Sequence, residues 1–164
     1  VAVPLGPVPF TLQTFVLAFA VLALRPSECF AALGAYLLLG AVGAPVFSGM
    51  RGGIGMLLGG TGGFLWGFVL GAVAALVLLK AVPPREGGRG FAREFAACLV
   101  LLAVSYACGW VQLMFVANMG PMPAFLAAIA PFIVPDLAKL AAAVAVARAV
   151  RKALPNLRKA SARR

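Results

Sequence analysis

Histidine is missing from this 164-residue chain, and charge is scarce: 11% of the residues are Asp, Glu, Lys or Arg, and only four of those are acidic. Without histidine there is no His-based catalytic triad and no cysteine–histidine zinc site. The three cysteines, Cys29, Cys98 and Cys108, form no CxxC pair and read as small apolar residues in helices. Serine is sparse too. These gaps leave almost no catalytic material, so the chain is not expected to be an enzyme or to hold a metal or cofactor. No GxxxxGK[ST] loop is present and no strand-borne GxGxxG, so a nucleotide-binding motif is also lacking.

Apolar residues fill the space: 63% of the chain, with a mean hydropathy of +1.06. A soluble domain has about 45–50% apolar and about 25% charged residues. The expectation is an all-α, polytopic membrane helix bundle, one membrane-embedded domain over residues 1–164 with the lipid bilayer as its solvent. Five spans are expected, near 11–24, 29–42, 63–81, 95–116 and 135–153, since a crossing needs about 20 mostly apolar residues. A glycine-rich outer loop, 43–63, separates the second from the third, and the proline-broken 117–134 stretch is expected to hold one short helix.

The net charge of +10 does not point to nucleic acid. Six of the 14 basic residues, Arg151, Lys152, Arg158, Lys159, Arg163 and Arg164, lie in the last 14 positions, and Arg85, Arg89 and Arg93 share one loop. Basic clusters beside apolar spans are the positive-inside signature. They place the 81–94 loop and the basic 151–164 tail in the cytoplasm, the tail within reach of anionic head groups. Five spans then leave the N-terminus outside, which predicts one more helix upstream of Val1.

Against this background a few polar residues stand out. Asp136 and Lys139 are three apart in an apolar helix, on one face at about 100° per residue. An ionisable residue at mid-membrane costs roughly 2.5–3.5 kcal/mol on insertion scales. The pair either neutralises itself and pins a helix end, or serves a ligand. Gln13 enters the membrane carrying a carboxamide that needs a partner, with Thr11 a plausible N-cap before it. Gly59, Gly63, Gly67 and Gly71 form an i, i+4 ladder suited to close helix packing; glycines upstream can turn backbone N–H groups to a ligand. Arg51 is the cation of that loop, either solvated or ligand-bound. Tyr36, Trp66, Tyr106 and Trp110 read as membrane-interface anchors.

Three stretches, "GPVPFTLQT" (6–14), "AYLLLGAVGAPVFSGMRGGIGMLLGGTGGFLWGF" (35–68) and "PFIVPDLAKLAAAVAVARAVRKAL" (131–154), together resemble the BioY family. These are the biotin-binding S components of energy-coupling-factor (ECF) vitamin transporters. The resemblance covers most of the chain; residues 81–130 match only in character. It implies a six-helix protein of a prokaryotic plasma membrane with a site open to the outside. It further implies that Asp136 and Lys139 bind the biotin head group and that Thr11, Leu12 and Gln13 stand for the family's TLQ. "GGTGGF", with Thr61, Gly62, Gly63 and Phe64, stands for "GPTGGY", Gly60 replacing a proline and Phe64 a tyrosine, with loss of a hydroxyl. ECF ATPase subunits and a transmembrane coupling subunit are the implied partners. The chemistry is compatible: Asp136 can accept from a ureido N–H, Lys139 can donate to its carbonyl, Phe64 suits the apolar rings, and Arg51 or backbone N–H groups suit the carboxylate. The alternatives are an S component for thiamin or riboflavin, a membrane enzyme, and a structural membrane protein whose ion pair locks helices.

Overall fold

The computed structural model describes residues 2–4, 9–84 and 87–153. Arg85 and residues 154–164 of the basic tail lie outside the described residues. The chain opens with a small antiparallel hairpin, β1 (Ala2–Pro4) and β2 (Pro9–Thr11), in which Val3 faces Phe10. Among the described residues seven helices follow: α1 (Gln13–Ala23), α2 (Pro26–Ala41), α3 (Ile54–Leu58), α4 (Gly62–Ala81), α5 (Gly87–Val116), α6 (Pro121–Ala128) and α7 (Ile133–Ala153). A 3-10 turn, Ala130–Phe132, leads into α7. The hairpin was not expected from the sequence.

By length and composition, α4, α5 and the 121–153 run are apolar and long enough to cross a membrane. The first two of the five expected spans, 11–24 and 29–42, are present as helices of 11 residues in α1 and 16 in α2, the second starting three residues earlier than expected. Pro26 explains the break between them: Leu24 is already extended, and a proline in a helix interior would clash with the preceding turn. At N1 of α2 the same proline is harmless, because that N–H has no intrahelical partner to lose. Glu28 then accepts the Arg25 backbone N–H at 2.9 Å. The fourth span starts eight residues earlier than expected, at Gly87, so Arg89 and Arg93 are helical rather than in a loop. The short helix expected between 117 and 134 is α6.

Two pairings build the bundle. α4 lies against α5 along the glycine ladder: a Cβ on Gly63, Gly67 or Gly71 would come within 2.3 Å of the Cys108 carbonyl oxygen, 2.6 Å of the Ser105 Cα and 2.6 Å of the Leu101 carbonyl oxygen. Only hydrogen fits there, so the two backbones meet at close range. α1 packs mainly on α7 and buries Leu17, Ala18, Val21 and Leu22. At the end of the bundle formed by the α5 N-terminus and the α7 C-terminus, charges hold the helices together. Glu94 accepts from Arg151 at 2.7 Å and lies 3.7 Å from Arg148, while Arg93 donates to the carbonyls of Val82 and Leu79 at the end of α4.

Candidate ligand site

The opposite end of the bundle holds an open-mouthed cavity. The starts of α1, α4 and α7 converge on it, with the middle of α5 as one wall and the 42–53 loop alongside. Its walls are mostly apolar, among them Phe47, Met56, Phe64, Phe68, Leu102 and Phe132. A few polar groups are set into this surface, the usual composition of a small-molecule site.

The ion pair is the most consequential of these. Pro135 sits in the first turn of α7, where helix geometry asks for no N–H, and Asp136 follows it. Asp136 is 5% exposed and Lys139 9%. Lys139 Nζ donates to Asp136 Oδ1 at 2.6 Å and to the Thr11 carbonyl oxygen at 2.8 Å. The Tyr106 hydroxyl donates to Asp136 Oδ2 at 2.7 Å. Both carboxylate oxygens thus have a partner, drawn from α7 itself and from α5, while Lys139 ties α7 to the end of β2. Burying two charges costs several kcal/mol per ion, and a well-packed apolar pair is often as stable. Helix locking alone is therefore a weak reason for this arrangement.

Gln13, the first residue of α1, finds the partner its carboxamide needs: Nε2 donates to the Tyr36 hydroxyl, and Oε1 accepts from Thr11 Oγ1 at 3.1 Å. Thr11 Oγ1 in turn accepts the Gln13 backbone N–H at 3.3 Å, but the N-cap position belongs to Leu12, so Thr11 acts one residue before it. Tyr36 meets the Phe47 ring edge-on, centroids 5.3 Å apart, and Phe47 lies over Gly40, where any side chain would collide with it. Ser48, next along that loop, lines the cavity; its Oγ is buried and has no hydrogen-bond partner among the described residues.

Of the residues singled out in the sequence, Asp136, Lys139, Gln13, Thr61 and Phe64 line one cavity. Arg51, Gly62 and Gly63 are not among its lining residues. Arg51 is exposed, and its backbone closes the loop by accepting from the Phe47 N–H at 2.9 Å. Gly62 and Gly63 are buried against the Leu57 and Cys108 carbonyls, where a Cβ would approach to 1.9 and 2.3 Å. Both positions are therefore closely packed. Tyr106, expected from the sequence as an interface anchor, lines the cavity and is bonded to Asp136. Its position well inside α5 was the available signal, since a buried tyrosine hydroxyl usually finds a partner.

A membrane helix bundle closed around a small, mostly apolar cavity with a buried ion pair defines an integral membrane protein built to hold a small molecule. The chain belongs to the BioY family, whose model matches residues 1–156. It is 39% identical over 147 residues to the probable biotin transporter BioY of Pyrococcus horikoshii, covering 90% of this chain and 83% of that one. It is 37% identical over 152 residues to the biotin transporter BioY of Thermotoga maritima, covering 93% and 86%. Its fold matches the crystal structure of the S-component for biotin from an ECF-type ABC transporter with a TM-score of 0.82 at 26% identity, over 92% of this chain and 80% of that one.

Proposed function

We propose that this protein is the membrane subunit that binds biotin for uptake, energised by ECF ATPase subunits and a transmembrane coupling subunit. The observation that carries the reading is the buried Asp136–Lys139 pair in an otherwise apolar cavity. A cyclic ureide presents an N–H and its carbonyl side by side on one edge. An adjacent acceptor and donor read that edge together, Asp136 accepting from the N–H and Lys139 donating to the carbonyl. The fused rings and alkyl chain suit Phe64, Phe68 and Phe132. Thiamin is cationic and riboflavin is a flat, extended aromatic; neither uses an acid and a base three residues apart as directly. Family membership and the shared fold support the same reading.

The sequence carries no nucleotide-binding motif, so an ATP-driven step belongs to partner subunits, as the family likeness implies. The positive-inside rule supports a prokaryotic plasma-membrane orientation with the basic C-terminal end in the cytoplasm and the 42–53 loop outside. The whole chain then acts as one membrane-embedded binding domain. Gln13, Thr61 and Phe64 are the further cavity residues we assign to the ligand.

Calorimetric titration of the purified, detergent-solubilised protein with biotin, thiamin and riboflavin tests the assignment. Biotin is expected to bind with a Kd on the order of 1 μM or tighter, about −8 kcal/mol or better, and the others not measurably. Binding of thiamin or riboflavin in its place would move the protein to another vitamin. Binding of none would leave the ion pair a structural element.

A further inference from the structure

Tyr106 takes a specific place beside the ion pair. A phenol has one proton to give and lone pairs with which to accept. Its proton goes to Asp136 Oδ2 at 2.7 Å, while Lys139 takes Oδ1 at 2.6 Å. An ionised carboxylate has about four acceptor sites, so each oxygen keeps a free lone pair. Donors from two different helices grip the two oxygens and leave the carboxylate a single orientation. The Tyr106 ring is held in turn by Phe64, which meets it edge-on with centroids 6.4 Å apart. The start of α4 thereby bears on Asp136 through Tyr106. Among the described residues, Asp136 and Lys139 are the charged ones that line the cavity.

We propose that Tyr106 is a positioning and specificity-determining residue: its hydroxyl aims the Asp136 carboxylate so that the free lone pairs meet a ligand N–H. This rests on the biotin reading above and adds a residue to it. The hydroxyl also sets the polarity of the site. With both oxygens already receiving protons from the protein, Asp136 is held as an acceptor, and a ligand must bring an N–H to it. A ring amide or ureide does so; an ester or ether of the same shape does not. Loss of the hydroxyl frees the carboxylate to turn and leaves Oδ2 without its donor, although the ring packing against Phe64 is kept.

The test uses Tyr106→Phe and three ligands: biotin and the two isomers methylated on one or the other ureido nitrogen. In the wild-type protein one isomer, lacking the N–H that Asp136 reads, is expected to bind more weakly than the other. Tyr106→Phe should weaken biotin and the better isomer by roughly tenfold or more, the worth of a hydrogen bond to a charged group. It should change the poorer isomer by less than about threefold, because the bond that the hydroxyl aims is already gone. A purely structural role would weaken all three ligands by the same factor, and that result overturns the proposal. So does an unchanged biotin affinity in a folded Tyr106→Phe protein. A second variant, Tyr106→Gln, keeps a donor but loses the ring. It should bind biotin better than Tyr106→Met, which has none; equal affinities of these two would also contradict the proposal. If the wild-type protein binds no biotin, the reading of function fails along with this one. If it binds biotin and only the variant pattern fails, the biotin reading stands.

Discussion

Asp136, Lys139 and Gln13 were legible as residues because hydrocarbon makes them conspicuous. A charge or a carboxamide inside an apolar run must find a partner, so the sequence alone states that one exists. It does not state which. That Lys139 reaches the Thr11 carbonyl and Gln13 the Tyr36 hydroxyl depends on contacts between residues 128 and 23 positions apart. Tyr106 escaped because tyrosine fits a membrane interface and a buried bond equally well. Arg51 drew notice for the opposite reason: a lone cation in a glycine loop suggests an anion site, yet the folded loop leaves it exposed and away from the cavity walls. Arg51→Ala is therefore expected to leave biotin affinity within about threefold, as surface changes usually do, measured by the same titration. A loss of tenfold or more would bring its guanidinium back to the ligand.

Among the elements, the glycine ladder was read correctly as a packing face at Gly67 and Gly71, since i, i+4 spacing of small residues has one simple use between membrane helices. Gly63 belongs to it as well, although the glycines just upstream had suggested a ligand cradle. Gly71 lies outside the cavity, so it separates fold from function. Gly71→Val would drive a branched side chain into the Leu101 backbone, with the first carbon already 2.6 Å from its carbonyl oxygen. It should destabilise the protein by roughly 1–3 kcal/mol, the usual cost of overpacking, visible as a lower melting temperature, while folded protein keeps its biotin affinity. Unchanged stability would mean that α4 and α5 are not in close contact there. Element ends were less legible. The start of α5 looked like loop because of its glycines and arginines, but Arg93 and Glu94 are held by the end of α4 and by α7. Such long-range contacts override local propensity. The N-terminal hairpin left no periodic signal at all.

At the scale of the whole molecule, one helix joins two polar centres. α7 carries Asp136 and Lys139 near its start and Arg148 and Arg151 near its other end, about 18 Å along the axis from Lys139 to Arg151 at 1.5 Å per residue. The second centre is braced by Glu94 and the carbonyl ends of α1 and α4, so α7 is fixed at one end by structure and meets the cavity at the other. On the proposed function, this division leaves the Glu94 cluster to stability and the Asp136–Lys139 pair to the ligand. The most direct measurement is biotin affinity together with melting temperature for the wild-type protein, Asp136→Asn, Lys139→Met and the double variant. Removing one member of a buried charge pair typically costs on the order of 3–5 kcal/mol, so either single change should weaken biotin by roughly a hundredfold or more. The double variant should lose much less than the product of the two, because both act on one site. Folded single variants that bind biotin within about threefold of wild type, with only the melting temperature lowered, would contradict the account.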